Sequence, residues 1–169
     1  MGTLIKILVA VTVIYGAWAL WHNKHKEVAH TFEVHGDEAY DAATNLTWKR
    51  CSVGQHFEGG NCIGPVAVYK WDGAQRMGDN TWRVPTEKEL RTLIDPERAG
   101  KNLSPAVDTS VFPGMLKDGS PYWTSSHSSG VSAWYVRFAI GTSGPGSEAG
   151  AYRQAEFNEY SVQLVRDGR

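Results

Sequence analysis

Two cysteines are the first residues in this chain whose type and spacing could do chemistry. Cys51 and Cys62 are the only two, and the stretch between them, SVGQHFEGGN, is polar and glycine-rich. Gly54, Gly59 and Gly60 would let that loop fold back on itself. Three states are open to the pair: a disulfide, two reduced thiols, or a zinc site. Zinc would lack paired C-x-x-C spacing, and His56 would bring the ligands only to three. A disulfide closes a short loop and stabilises by about 2–3 kcal/mol. The even cysteine count, the loop composition and an apolar leader ahead of them favour the disulfide and an oxidising compartment.

Other reactive types are explained by local structure. Thr124, Ser125 and Ser126 resemble a nucleophile run, yet no G-x-S-x-G elbow surrounds them. At a strand end their hydroxyls are expected to satisfy backbone groups. Glu87 and Glu89 are acid–base types, but Thr86 with Glu89 three residues on forms a capping box, which occupies Glu89. The six histidines are scattered and lack metal-ligand spacing; the one spaced pair, His22 and His25, flanks the leader. Nucleotide and phosphate loops are absent. The chain is therefore read as non-enzymatic, with no catalytic residue, cofactor or metal.

Contact chemistry is a different matter. Residues 141–159 read as a long loop, Gly/Ser-rich over 142–150 and then offering Tyr152, Arg153, Gln154, Phe157 and Asn158. Tyr and Arg combine contact area with hydrogen bonding, the mark of binding hot spots. Loops on a rigid sheet commonly carry function. Tyr152, Arg153, Gln154 and Asn158, with His127 from the 127–132 turn, are the expected ligand or partner contacts. The plainer alternative has Tyr152 and Phe157 tucked into the core.

Short strands and turns must position these residues. The chain carries 18 Gly and 7 Pro, which call for many turns rather than a helical bundle. Residues 31–34 suit a first strand, with turns at 35–37 and 41–45, where Asx and Thr side chains bond their own backbone. Residues 46–50 alternate as a half-buried strand should. A short helix is expected within 68–77, with Trp71 and Ala74 on one side. Pro85 keeps Val84 extended, Thr86 caps a helix, and Leu90, Leu93 and Ile94 share its inner face until it ends near Asp95-Pro96. A loop over 102–119 leads to a hairpin of strands at 122–126 and 133–138. Residues 160–166 form a closing strand, with Val162 and Leu164 on one face. Trp48, Trp82, Trp123 and Trp134 are expected in the core. The fold class is α+β: a small antiparallel sheet, one or two short helices and long loops.

The leader sets the address. Residues 7–21, ILVAVTVIYGAWALW, hold no charge. Alone they are too short for a hydrocarbon core of about 30 Å. From Leu4 to Trp21, with Lys6 snorkelling to the headgroups, the segment reads as one transmembrane helix, and Trp18 and Trp21 sit in an interfacial belt. A cleaved signal peptide with its site at Ala17-Trp18-Ala19 is the competing reading. The flanking lysines Lys24 and Lys26 lean weakly against export; the cysteine pair argues for it. The chain thus divides into an anchor at 1–27, a linker with a first strand at 28–40, and a globular domain at 41–169. A net charge of −1 with scattered charges excludes the basic face of a nucleic-acid binder.

The pieces follow one order: Asp41, then Thr44-Asn45-Leu46-Thr47-Trp48-Lys49-Arg50-Cys51, Gly60 and Cys62. Trp71, Trp82-Arg83-Val84-Pro85-Thr86, Glu89-Leu90 and Phe112-Pro113 come next. Tyr122-Trp123-Thr124-Ser125-Ser126, Ala133-Trp134-Tyr135-Val136 and Leu164-Val165-Arg166 close the series. This order resembles the Lcl C-terminal domain family, named after the end domain of a collagen-like bacterial adhesin. The resemblance implies a compact domain of bacterial envelope or secreted proteins, a C-type-lectin-like topology and paired cysteines. It also implies binding and adhesion rather than catalysis; the namesake domain recognises sulfated polysaccharides. The Glu-Pro-Asn and Gln-Pro-Asp triplets of calcium-dependent lectins are absent, so no metal is carried over. The expected function is a membrane-anchored periplasmic binding module for a glycan or protein partner, single-pass in the bacterial inner membrane. The alternatives are a structural accessory subunit of an inner-membrane complex and a periplasmic immunity or inhibitor protein.

Overall fold

Turn chemistry organises the first half of the domain. Strand β1 (Phe32–His35) reverses at Gly36, whose φ of +60° suits glycine, into β2 (Glu38–Asp41). Asp41 then makes the expected Asx turn: its carboxylate accepts from the Ala43 N–H at 2.9 Å and the Thr44 hydroxyl at 2.7 Å. Asn45 takes a left-handed φ of 56° and feeds β3 (Leu46–Lys49). The structure, a computed structural model, describes residues 30–115, 120–128, 130, 132–139 and 150–169. The anchor expected over 4–21 and the Gly/Ser residues 142–149 lie outside these. Among the described residues, no helix is long and apolar enough to cross a membrane.

Strand β9 (Val165–Asp167) adds antiparallel to the far edge of β3, giving a four-stranded sheet in the order β1-β2-β3-β9. This corrects the half-buried reading of β3. As a central strand it buries Leu46, Thr47 and Trp48 on both faces. Arg50, next in the chain, is also buried. Its guanidinium donates to the carbonyls of Val111 (2.8 Å), Ser110 (3.0 Å) and Gly36 (2.8 Å), which spreads its charge over three acceptors. One cation thereby pins the long loop to the first turn.

The cysteines are joined, with Cα atoms 5.4 Å apart. Their loop folds back as a hairpin of β4 (His56–Glu58) and β5 (Asn61–Ile63). Gly59 and Gly60, both at positive φ, form its two-residue turn. Gly114 lies against this loop, where a Cβ would come within 2.8 Å of the Cys62 sulfur.

Three short helices are described rather than one or two: α1 (Trp71–Ala74), α2 (Glu87–Arg91) and α3 (Pro96–Gly100). Thr86 caps α2 in a complete capping box, but the helix has only five residues. Asp95 and Pro96, expected to stop that helix, also begin the next. The Asp95 carboxylate accepts from the N–H groups of Glu97 (2.9 Å) and Arg98 (3.0 Å), with Pro96 at the first helical position.

The 122–138 hairpin forms as β6 (Tyr122–His127) and β7 (Ser132–Arg137). Residues 150–155, read as loop, instead form β8 (Gly150–Ala155), paired antiparallel along all of β7 in a β6-β7-β8 sheet. AYRQA has no β-branched residue and follows a Gly/Ser run, so its strand character comes from its partner. The closing strand is likewise split. Tyr160 bridges Tyr69, Ser161 bridges Tyr122, and Val165 bridges Arg83 before β9. This final segment ties the two larger sheets together. One core cluster gathers Trp48, Leu90, Phe112, Tyr122 and Phe138, and a second gathers Ala74, Val84, Trp123 and Val162, with Leu164 packed against it.

Candidate functional site: the aromatic face of the β6-β7-β8 sheet

Strand alternation builds the site. Successive side chains of a strand leave opposite faces, and the register sets Trp123 beside Tyr135 and Tyr135 beside Tyr152. The ring centroids of Trp123 and Tyr135 are 6.3 Å apart, those of Tyr135 and Tyr152 5.7 Å. Tyr160 lies across this row, 4.5 Å from Trp123 and 5.1 Å from Tyr135. Burial, together with the neighbouring phenols of Tyr160 and Tyr152, pushes the Tyr135 hydroxyl above the ordinary tyrosine range, against a smaller opposing pull from Arg137. Tyr135 is therefore a neutral donor and acceptor at physiological pH.

The next row outward holds His127, Ala133 and Gln154. There α1 delivers Trp71, whose ring centroid is 5.4 Å from that of His127 at an interplanar angle of 58°. Trp71 is fixed twice: its indole N–H donates to the Thr124 carbonyl at 2.8 Å, and its backbone N–H to the Glu156 carbonyl at 3.0 Å. His127 Nε2 lies 2.8 Å from Glu156 Oε1. That oxygen is buried and makes no aligned hydrogen bond, so the contact is electrostatic when the imidazole is protonated. Phe157 follows, with 70% of its surface exposed.

The expected contact residues divide. Tyr152, Gln154 and His127 come together on one face. Arg153 leaves the other face of β8 and sits over the Trp134 ring at 5.7 Å. Asn158 is used in the turn after β8, donating from its side chain and its backbone to the Ala155 carbonyl at 3.0 and 3.2 Å. Tyr152 is half-buried in the aromatic row, whereas Phe157 is not in the core. Trp48, Trp82 and Trp123 are buried as expected, but Trp134 is only half-buried. Sequence reasoning missed Trp71, Glu156, Tyr135 and Tyr160 as members of this face. The period-2 pattern of β7 carried a signal for Tyr135; nothing local announced that Trp71 would meet His127.

The other reactive types serve structure. The Thr124 hydroxyl donates to the Trp134 carbonyl at 2.7 Å, and the Ser126 hydroxyl accepts from the Glu87 N–H at 2.9 Å. Glu89 accepts a two-pronged pair from Arg83, both at 2.8 Å, and the Thr86 N–H at 2.7 Å. Among the described residues, no group of three or more His, Cys, Asp or Glu could hold a metal ion. A groove of about 520 Å³ opens elsewhere, between α2 and the Asx turn, lined by His30, Thr44, Lys88, Arg91, Thr92 and Ile94. His30 is held there by the buried Asp41 carboxylate at 2.5 Å.

Residues 37–166 match the Lcl C-terminal domain family, and the chain belongs to it. The matched span takes in the disulfide, the three helices and both sheets' central strands, while β1 and His30 precede it. No curated protein matches the chain.

Proposed function

We propose that this protein is a non-catalytic binding module of the bacterial envelope, held in the inner membrane by residues 4–21, with its domain in the periplasm engaging a glycan or protein partner. The observation that carries the binding reading is the β6-β7-β8 face, where half-buried aromatic rings stand beside polar side chains. Rings of this kind left partly in water gain free energy when a ligand covers them. Membership of the Lcl C-terminal domain family supports a binding role, and the apolar leader with the Cys51–Cys62 disulfide supports export.

Two measurements test this. Cells expressing the full chain are treated with a thiol reagent without reductant; labelling of Cys51 or Cys62 would rule out the oxidised, exported state. Gently solubilised membranes are then used to recover the protein with whatever protein or glycan accompanies it. The double variant His127→Ala with Gln154→Ala should lose the companion, and Arg166→Ala, on the other sheet, should keep it. Equal recovery with both variants places the binding surface elsewhere.

A further inference from the structure

Where the aromatic face meets α1, its rings and polar groups form a corner. The rings of Trp71 and His127 meet at 58° with centroids 5.4 Å apart. Trp71 is locked by its two hydrogen bonds to Thr124 and Glu156 and packs against the second core cluster, so the part of its ring left exposed is held in place at little further loss of side-chain entropy. Its indole N–H is already used, which leaves the ring to act by contact alone. Around it stand hydrogen-bonding groups with capacity to spare. Gln154 is exposed and its carbonyl oxygen accepts from the Ala155 N–H at 3.3 Å, leaving the NH₂ to donate. His127 has half its side chain exposed and one ring nitrogen turned to Glu156, leaving the other for a ligand.

Charge narrows the ligand. His127 and Glu156 face each other, so their charges cancel when both are ionised. Arg153 lies on the opposite face over Trp134. The exposed cations Lys88 and Arg91 line the groove beside His30, and Lys70 and Arg76 flank α1 and are exposed as well. Among Trp71, His127, Gln154 and Glu156 themselves, the only side chain able to carry positive charge is His127, which already faces Glu156, so a strongly anionic ligand finds no cluster of cations there. An apolar peptide side chain would want a closed apolar pocket, whereas here an exposed Gln154 and a half-exposed His127 stand beside the Trp71 ring. A pyranose ring has the complementary form, with C–H groups on its faces and hydroxyls around its edge.

Resting on the binding reading above, we propose that Trp71, His127, Gln154 and Glu156 form a subsite for an uncharged pyranose unit of a glycan. Trp71 stacks on the C–H face, while His127 and Gln154 hydrogen-bond the hydroxyls and Glu156 orients His127. The test uses the full chain in a detergent with no sugar headgroup, titrated with cellotetraose, chitotetraose and maltotetraose, with dextran sulfate as the charged comparison. Trp fluorescence and saturation-transfer NMR report binding. At least one neutral tetrasaccharide should bind saturably, and Trp71→Ala and His127→Ala should each weaken it roughly tenfold or more, the loss of about one good contact. Trp71→Phe keeps a ring and a folded helix, and should retain part of the affinity. Binding to dextran sulfate alone, to no neutral sugar, or equally in wild type and His127→Ala would overturn the subsite. If sugars fail but the His127/Gln154 variant still loses a co-purifying protein, the pyranose assignment falls and the binding module stands.

Discussion

On the four-stranded sheet, Arg166 meets Glu38 at 2.9 Å, Arg169 meets Glu33 at 2.7 Å and Lys49 meets Asp37 at 2.7 Å. On the three-stranded sheet, the Trp123 row is filled by Tyr135 and Tyr152, and the row beyond it by Gln154 and His127. The first surface closes on itself: each of these cations has its carboxylate, and Arg169 also covers the Tyr40 ring at 4.6 Å. Such pairs keep a sheet face wet, and each contributes little. The second keeps aromatic area at the edge of water, with a single His–Glu contact beside it. The two sheets thus differ in their partly exposed side chains: the four-stranded one pairs its charges, and the three-stranded one leaves aromatic rings partly in water.

Substitutions on either sheet test this contrast. The largest effect is expected inside the aromatic side. Trp123 is fully buried and donates its indole N–H to the Tyr69 carbonyl at 2.8 Å, so Trp123→Ala should cost about 3–5 kcal/mol in urea unfolding. A loss no greater than that of a surface residue would mean the row is not packed as described. Replacing both cysteines, Cys51→Ala with Cys62→Ala, should cost about 2–3 kcal/mol, since their sequence separation of 11 closes only a short loop. Saccharide binding should persist in the folded fraction; its disappearance would tie the β4-β5 hairpin to the site. Thr86→Ala should cost about 0.5–2 kcal/mol, toward the lower end because the cap bond it removes, from the Glu89 N–H, is long at 3.3 Å.

Acid sensitivity comes next. Burial pushes the Glu89 carboxyl upward, but the Arg83 guanidinium and the Thr86 N–H and hydroxyl outweigh it and hold the group below the usual carboxylate range. The unfolded chain therefore binds this proton more readily than the folded one. Glu89 contributes its stability fully above the ordinary glutamate pKa of about 4.3, and loses it as pH falls through the lower folded value. Denaturant midpoints from about pH 6 to about pH 3 should fall less steeply for Glu89→Gln than for wild type. Parallel curves would show that other carboxylates set the acid limit. The smallest effect should come from Arg166→Ala, under about 1 kcal/mol for its ion pair. A larger loss would show that packing of Arg166 over the Trp82 ring, 5.4 Å away, matters more than its charge.

Features whose partners are near in sequence are legible in the sequence alone. The turn at Gly36, the Asx turn at Asp41, the Thr86–Glu89 box and the 122–138 hairpin each need only a few neighbouring residues. The disulfide is legible because only two cysteines exist and a glycine-rich loop joins them. The candidate site is half legible: residue type singles out Tyr152, Gln154 and His127, which fold onto one face, together with Arg153 and Asn158, which do not.

The local hydrogen-bonding units, the α+β class and the kinship with the Lcl C-terminal domain family follow from residue order without any distant partner. The tertiary structure alone decided which faces those units show. β3 is a central strand because β9, more than a hundred residues later, pairs with its free edge, and the core cluster with Leu90 and Phe112 buries its Leu46 and Trp48. Residues 150–155 are a strand because β7 offers them a register, and that register sends Tyr152 and Arg153 to opposite faces. Trp71 and His127 meet because α1 docks on β6 through the Thr124 carbonyl and on the segment after β8 through Glu156, which also faces His127. Local propensity is fixed by a residue's own covalent surroundings, whereas burial and convergence depend on partners brought near only by folding.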